Sequence, residues 1–365
     1  MNRFVYTSSP ARVLFGSGRT AELPAELARL SARHPFIVST PGGAVQAEKL
    51  ASLVGGRATV HPRAAMHTPV EVTEQALVRL DQLGADCLVA IGGGSPIGLS
   101  KALAVRTGMP QIVIPTTYAG SEVTDILGET SGGVKTTRRD PAILPEVVIY
   151  DVDHTLSLPP ALSVASGLNA IAHACEALYA VDGNPIIALL AEEAISALAA
   201  SLPLIARKPS DRGARERAQY GAWLCGICLG SVSMALHHKL AHVLGGSFDL
   251  PHAETHAILL PYSLAYNAPA APEAIARITR ALGSADALPT QLRTLIADAG
   301  LPTSLAAIGM PREGVGRAVE LALKASYPNP RPLERAPLTQ ALEAAIEGTP
   351  WNDCPDGAGG KYNGK

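Results

Sequence analysis

The stretch that most limits the fold of this chain is Asp86-Cys87-Leu88-Val89-Ala90-Ile91, followed by Gly92-Gly93-Gly94-Ser95-Pro96 and an apolar helical pattern from Ile97 to Val105. A strand that is apolar without interruption is buried on both faces, the condition of a parallel sheet covered by helices. Ser95 is expected to cap the helix that follows, with Pro96 at its first position. Three consecutive glycines let the backbone approach a ligand without Cβ clashes. The exposed amides and the helix dipole then favour a pyrophosphate. The nucleotide-triphosphate loop pattern fails, because Gly98 is followed by Leu99-Ser100 rather than Lys-Ser.

Other segments extend the α/β reading. Pro35–Ser39, Gln111–Pro115 and Val147–Tyr150 read as strands, and Asp151 closes this half. Residues 11–18 read as a strand and tight turn. Gly16-Ser17-Gly18-Arg19-Thr20-Ala21 matches G-x-G-x-x-A, but the next strand ends in Ser39-Thr40-Pro41 without the acidic residue that would hold a ribose. A plain turn is the better reading. Thr116-Thr117-Tyr118-Ala119-Gly120-Ser121-Glu122 follows a strand at its carboxyl end, where ligands of open α/β sheets bind. From about Leu158 the pattern becomes helical: 159–181, 185–206, 213–236, 270–283, 288–299 and 315–327. The expected organisation is an α/β dinucleotide-binding domain over 1–157, an all-α catalytic domain over 158–350, and a flexible tail over 351–365, rich in Gly, Asp and Lys.

Composition excludes several classes. The net charge is −2 with no basic stripe, so nucleic acid is not an expected partner. No apolar run approaches 18 residues, so no membrane span is expected. Met1 to Arg12 lacks a signal-peptide core, and the five cysteines are odd and scattered, which together point to the cytoplasm. Cys225-Gly226-Ile227-Cys228 has redox spacing, but it lies inside the apolar run from Ala222 to Leu229, so burial is the expected role.

Five of the ten histidines fall between His237 and His256. His238 and His242 are four apart and share a helix face. Gly245-Gly246 is expected to stop that helix, and Pro251-His252 to restart the chain so that His252 folds back. Asn169 and His173 form a second i, i+4 pair on an Ala-rich helix. Convergence of Asn169, His173, His238 and His252 suits a transition metal, or a packed set of hydrogen-bonded histidines.

These motifs, in this order, resemble the iron-containing (group III) alcohol dehydrogenase superfamily, and within it the maleylacetate reductase branch most closely. The resemblance runs from about Phe15 to about residue 350. It implies an α/β dinucleotide-binding domain followed by an all-α domain, an architecture shared with dehydroquinate synthase. In metal-dependent members an Asp and three His hold the metal. Those positions map to Asn169, His173, His238 and His252. Asparagine in place of the aspartate is typical of the branch, so a metal is not expected to be required. Gly92, Gly93, Gly94 and Ser95 map to the pyrophosphate loop for NADH or NADPH, Thr116 and Thr117 to the nicotinamide side, and Lys135 to the cofactor ribose.

The implied reaction is NAD(P)H-dependent reduction of the carbon–carbon double bond of maleylacetate to 3-oxoadipate, in aromatic-compound degradation, by a homodimer. Hydride would add β to the ketone, and an enolate would form. His173, His238 and Lys239 are candidates to stabilise it, and His242 to donate the proton, with His238 as the alternative. Asn169 and His252 complete the catalytic set. The substrate is a dianion, for which Arg331 in Asn329-Pro330-Arg331-Pro332, Tyr118 and His252 are candidate contacts. Ser39-Thr40-Pro41 carries no charge to repel a 2′-phosphate, so NADH and NADPH are both expected. The competing reading is a metal-dependent (Fe or Zn) alcohol or polyol dehydrogenase of the same superfamily. A cyclase resembling dehydroquinate synthase is disfavoured because its metal-ligand set and phosphate-binding lysines are missing.

Overall fold

The computed structural model describes Phe4, Tyr6 and residues 12–132, 134–283, 288–324 and 327–351. The expected tail lies outside the described residues from 352 onward. In chain order the first half contains β1 (Arg12–Phe15), α1 (Leu23–Arg29), β2 (Pro35–Val38), α2 (Ala44–Leu53), β3 (Thr59–His61), α3 (Val70–Gln82), β4 (Cys87–Gly92), α4 (Gly94–Thr107), β5 (Gln111–Pro115), β6 (Ile126–Ser131), β7 (Val134–Arg139) and β8 (Val147–Tyr150). Six strands pair in the order β1-β8-β5-β4-β2-β3, every neighbour parallel. Cys87 to Ile91 are at most 1% exposed, as burial on both faces requires.

The topology decides where a ligand can bind. From β2 the chain steps outward to β3, returns past β2 to β4, and continues to β5 and β8. The direction reverses between β2 and β4, so the carboxyl end of β4 opens on the crevice at the switch point. Helix α4 starts there with Gly93 as N-cap and no side-chain cap. Ser95 thus sits inside the first turn rather than capping it.

Two loop expectations have different outcomes. Around Gly16–Ala21 a turn forms, as expected. The Asp151 carboxylate accepts from Gly18 N (3.0 Å), Thr20 N (2.8 Å) and the Thr20 hydroxyl (2.6 Å), so those amides are already occupied. The turn-rich stretch 131–141 instead supplies β7, which pairs antiparallel with β6. Its polar sequence, Lys135-Thr136-Thr137-Arg138-Arg139, has no apolar alternation to announce a strand.

The second half is helical: α5 (Pro160–Leu178), α6 (Pro185–Arg207), α7 (Arg212–Ser231), α8 (Leu236–Phe248), α9 (His252–Asn267), α10 (Pro272–Leu282), α11 (Leu288–Asp298), α12 (Gly314–Lys324) and α13 (Arg335–Glu347). Asn184 caps α6 by accepting from Ile187 N, and Asp211 caps α7 by accepting from Ala214 N. The pattern over 213–236 breaks after Ser231 into α7 and α8. Helix α8 runs straight through Gly245-Gly246. Its stop is Asp249 in the left-handed region (φ 52), two residues before Pro251. Helix α6 is long and apolar enough to cross a membrane by length and composition, contrary to expectation. Half of its apolar window is buried, and it packs between α5 and α7 as a core helix.

The two halves meet where backbone touches backbone. Gly120, in the left-handed region (φ 78), lies against Gly226 of α7, and a Cβ at Gly226 would overlap the Gly120 carbonyl oxygen. Nearby, Arg139 ties the hairpin to the end of α7, donating to Asp125 (2.9 Å), Gly230 O (2.9 Å) and Leu229 O (3.4 Å). Gly226→Ala is therefore expected to destabilise the protein by about 1–3 kcal/mol, the usual scale of overpacking. Denaturant midpoints of the two proteins would measure it, and equal midpoints would contradict the close approach.

Candidate active site

A cleft of about 910 Å³ opens between the two halves. Gly94, Ser95 and Thr117 line it from the sheet side, and Asn169, His173, His238, His242, His252 and His256 from α5, α8 and α9. The sheet side is shaped by its glycines. Gly92 sits at φ +141, and a Cβ there would meet Pro96 Cγ at 2.7 Å. A Cβ at Gly93 would meet Thr117 Cγ2 at 2.9 Å. At Gly94 the space is open. Gly92 and Gly93 therefore shape the turn, while Gly94 and Ser95 face the cleft.

The histidine wall is organised from below by Glu176, which is fully buried. Its carboxylate accepts from Ala235 N (2.9 Å), His237 N (2.7 Å) and His238 Nδ1 (2.6 Å). Helix α8 has no side-chain cap of its own, so Glu176 caps it from α5. The other nitrogen of His238 lies 2.6 Å from His173 Nδ1, and His173 Nε2 faces the Ala119 carbonyl at 3.2 Å. These three contacts need three protons, because a carbonyl can only accept. Two neutral imidazoles bring two. Glu176, His238 and His173 therefore share three protons and carry no net charge. Burial, reinforced by the neighbouring histidines, holds the His173 pKa well below its ordinary value.

A second chain runs behind the first. Ser263 donates its only proton to Leu260 O (3.0 Å), so it must accept from His237 Nδ1 (2.9 Å). His237 Nε2 then accepts from His256 Nδ1 (2.9 Å). Burial pushes both pKa values well down, which keeps both rings neutral. His256 Nε2 is left as a bare lone pair on the cleft wall, buried and without a hydrogen-bond partner. Asn169 Oδ1 is a second buried atom there without one.

This arrangement does not fit the metal that the resemblance associates with the four positions. His173 and His238 direct nitrogens at each other and hold their remaining nitrogens to Ala119 and Glu176. Asn169 adds no charge. Among the described residues no group of three or more His, Cys, Asp or Glu side chains is set to hold a metal ion.

Several candidate residues lie elsewhere. Tyr118 is fully buried below the cleft, where its hydroxyl accepts from Arg215 (3.3 Å), so it does not face a substrate. Arg331 stacks on the Tyr266 ring (4.4 Å) and donates to Tyr266 O, and it is Pro328 of that segment that reaches the cleft. Asn329 fixes this geometry by pairing with Asn267 and accepting from Leu236 N. Lys239 and Thr116 are half-buried but do not line the cleft. Lys135 lies on β7 opposite Thr130, and its side chain is outside the described residues.

Residues that sequence reasoning did not assign include Glu176, His256 and Lys101, and the loop Met66-His67-Thr68. His67 (φ 63) and Thr68 (φ 47) are consecutive non-glycine residues in the left-handed region. They are held there by Thr130 N donating to Thr68 O (3.2 Å) and by the Thr68 side chain packed on Gly98. Only the backbone carries that signal.

Valine at Gly94 is expected to raise the dinucleotide Kd at least tenfold with the melting temperature nearly unchanged, because bulk there enters only the cleft. Alanine at Gly92 is expected to lower the melting temperature, because both φ and Pro96 oppose it. Fluorescence titration with NADH beside thermal melts would read both, and an unchanged Kd for Gly94→Val would remove the loop from the cofactor site.

Comparison with known proteins matches residues 10–152 to the iron-containing alcohol dehydrogenase family and residues 163–346 to the C-terminal region of the Fe-containing alcohol dehydrogenase family. A maleylacetate reductase of Burkholderia cepacia is 52% identical over 349 residues, covering 95% of this chain and 99% of the relative. The crystal structure of a maleylacetate reductase from Agrobacterium tumefaciens superposes with a TM-score of 0.91 at 52% identity, covering 96% and 99% of the two chains. That of a putative alcohol dehydrogenase from Ralstonia eutropha JMP134 superposes with a TM-score of 0.94 at 52% identity, covering 95% and 99%. A parallel sheet with a glycine turn at its switch point, a helical half bearing a histidine wall, and these similarities together place the chain in the iron-containing alcohol dehydrogenase family, on its maleylacetate reductase branch.

Proposed function

We propose that this protein catalyses the NADH- or NADPH-dependent reduction of the carbon–carbon double bond of maleylacetate, giving 3-oxoadipate. Identity of 52% to maleylacetate reductases over 95% of the chain carries this reading. The cleft suits the chemistry. The pyrophosphate is assigned to the amides at Gly94 and Ser95, with Thr117 beside them. Hydride adds to the alkene carbon β to the ketone, and charge gathers on the ketone oxygen. His238, held by Glu176, is assigned with Asn169 and His173 to supply the fixed dipoles for that charge. His242 is assigned the proton donor at the adjacent carbon, since it lines the cleft and is exposed enough to exchange with solvent. His252 is assigned to the substrate. Tyr118, Arg331 and Lys239 have no part in this reading. A homodimer in the cytoplasm is the proposed assembly, with no nucleic-acid or membrane partner. Four free, buried cysteines suit a reducing compartment.

The protein is expected to oxidise NADH or NADPH when given maleylacetate, and to be at least a hundredfold slower with simple aldehydes. The reverse ranking in a steady-state absorbance assay would favour the alcohol or polyol dehydrogenase reading.

We further propose that the reaction needs no metal, supported by the neutral Asn169 and by the mutual hydrogen bond of His173 and His238. Activity is expected to survive exhaustive EDTA treatment, and Asn169→Asp to raise metal retention without raising maleylacetate turnover. Stoichiometric iron or zinc, with activity lost on removal and restored on return, would refute this.

A further inference from the structure

Helix α4 carries a lysine that the proposed chemistry does not use. Lys101 is 1% exposed, yet it lines the cleft. Its Nζ lies 2.6 Å from Ser121 O, 2.7 Å from Thr124 O, 2.9 Å from Thr124 Oγ1 and 3.1 Å from Ile126 O. None of these oxygens can donate to it. Three are carbonyls, and the Thr124 hydroxyl gives its proton to Ser121 O (2.9 Å). A neutral amine would bring two protons and aim its lone pair at an oxygen, so the cage is built for an ammonium. Burial pulls the Lys101 pKa down to about 7, while Glu122 and Asp125 act in the opposite direction. The four acceptors add to the carboxylates in holding the third proton.

The caged segment matters because of what it forms. Ser121, Thr124 and Ile126 all line the cleft, and before β6 begins at Ile126 the segment has only a single 3-10 turn over Ser121–Val123. Lys101 stands two turns into the helix whose first residues, Gly94 and Ser95, line the same cleft. One side chain therefore ties the helix at the phosphate end to the wall that continues from Thr117.

We infer that Lys101 is a positioning residue whose ammonium holds the 121–126 wall in its cofactor-binding form, and that removing the side chain leaves an oxygen-lined site for a small ammonium ion. The inference rests on the dinucleotide reading of the cleft but not on the identity of the reduced substrate. Binding of NADH to the whole protein, followed by fluorescence without maleylacetate, separates the two.

Lys101→Met is expected to raise the NADH Kd about tenfold or more, the scale of a charged hydrogen bond. Lys101→Ala is expected to be weakened similarly and to recover at least threefold in ammonium or methylammonium chloride. Tetramethylammonium chloride at equal ionic strength is expected to do nothing, because it has no N–H to give. Thr124→Val removes one acceptor while the Ser121, Thr124 and Ile126 carbonyls still hold the ammonium, and serves if the lysine variants do not fold. It is expected to raise the Kd about threefold at an unchanged melting temperature. Wild-type affinity in Lys101→Met or in Thr124→Val, or a loss in Lys101→Ala that all three salts affect equally, would overturn the inference. Tight NADH binding in the wild type with no turnover of maleylacetate would instead count against the proposed reaction alone.

Discussion

A carboxylate buried in a protein interior needs a full set of donors, and Glu176 has one. Two of its donors are amides at the start of α8, and the third is the His238 ring. Charged hydrogen bonds of this kind contribute about 1.5–3 kcal/mol each, and an uncompensated buried carboxylate costs more than any one of them returns. The consequences run outward. The entry of α8 is fixed, so His237 and His238 leave the helix start in set directions. His238 presents its other nitrogen to His173, and His173 reaches Ala119 in the loop that also carries Gly120 and Thr117. One acid on α5 thereby sets the register between the helical wall and the sheet-side loop.

The two histidine chains differ in how they end, and that difference shapes the cleft. One ends on a carbonyl and so requires an additional proton along its length. The other ends in a lone pair at His256, with every donor behind it already fixed by Ser263. A developing negative charge and a donor group would thus meet different parts of one wall without either ring having to reorient. Preorganisation of this kind contributes to rate because it is complete before the reaction begins. It also shows why an amide suits position 169. A carboxylate there would sit beside imidazoles whose nitrogens are already committed to other partners.

Much of this was legible in the sequence where periodicity and chemistry coincide. The apolar strand with its three glycines, the helical second half and the convergence of Asn169, His173, His238 and His252 follow from spacing and from the motifs. What escaped was decided by tertiary context. Gly245-Gly246 reads as a stop, but α8 packs against α9 and α12 and continues to Asp249. Strand β7 of the hairpin is polar from Lys135 to Arg139 and so carries no apolar alternation. Arg331 looked suited to a dianion because its prolines stiffen it, yet Asn329 docks that segment so that the guanidinium stacks on Tyr266. Glu176 and Lys101 are ordinary charged residues in helical sequence, and only the oxygens and amides brought to them from distant segments show what they do.

The cysteines carry a practical consequence. Cys87 lies in the central strand of the sheet, whereas Cys175, Cys225 and Cys228 lie in the core of the helical half, and all four are free. Burial pushes Cys87 and Cys228 up to about 12 and raises Cys175 and Cys225 as well, so none reacts as a thiolate in the folded protein. Silent chemical labels thus sit in both halves of the molecule, one in the sheet and three among the helices. Alkylation at Cys87 clocks the opening of the sheet and alkylation at Cys225 or Cys228 that of the helices, and peptide mapping of a partly modified sample would tell whether the halves come apart together or in turn.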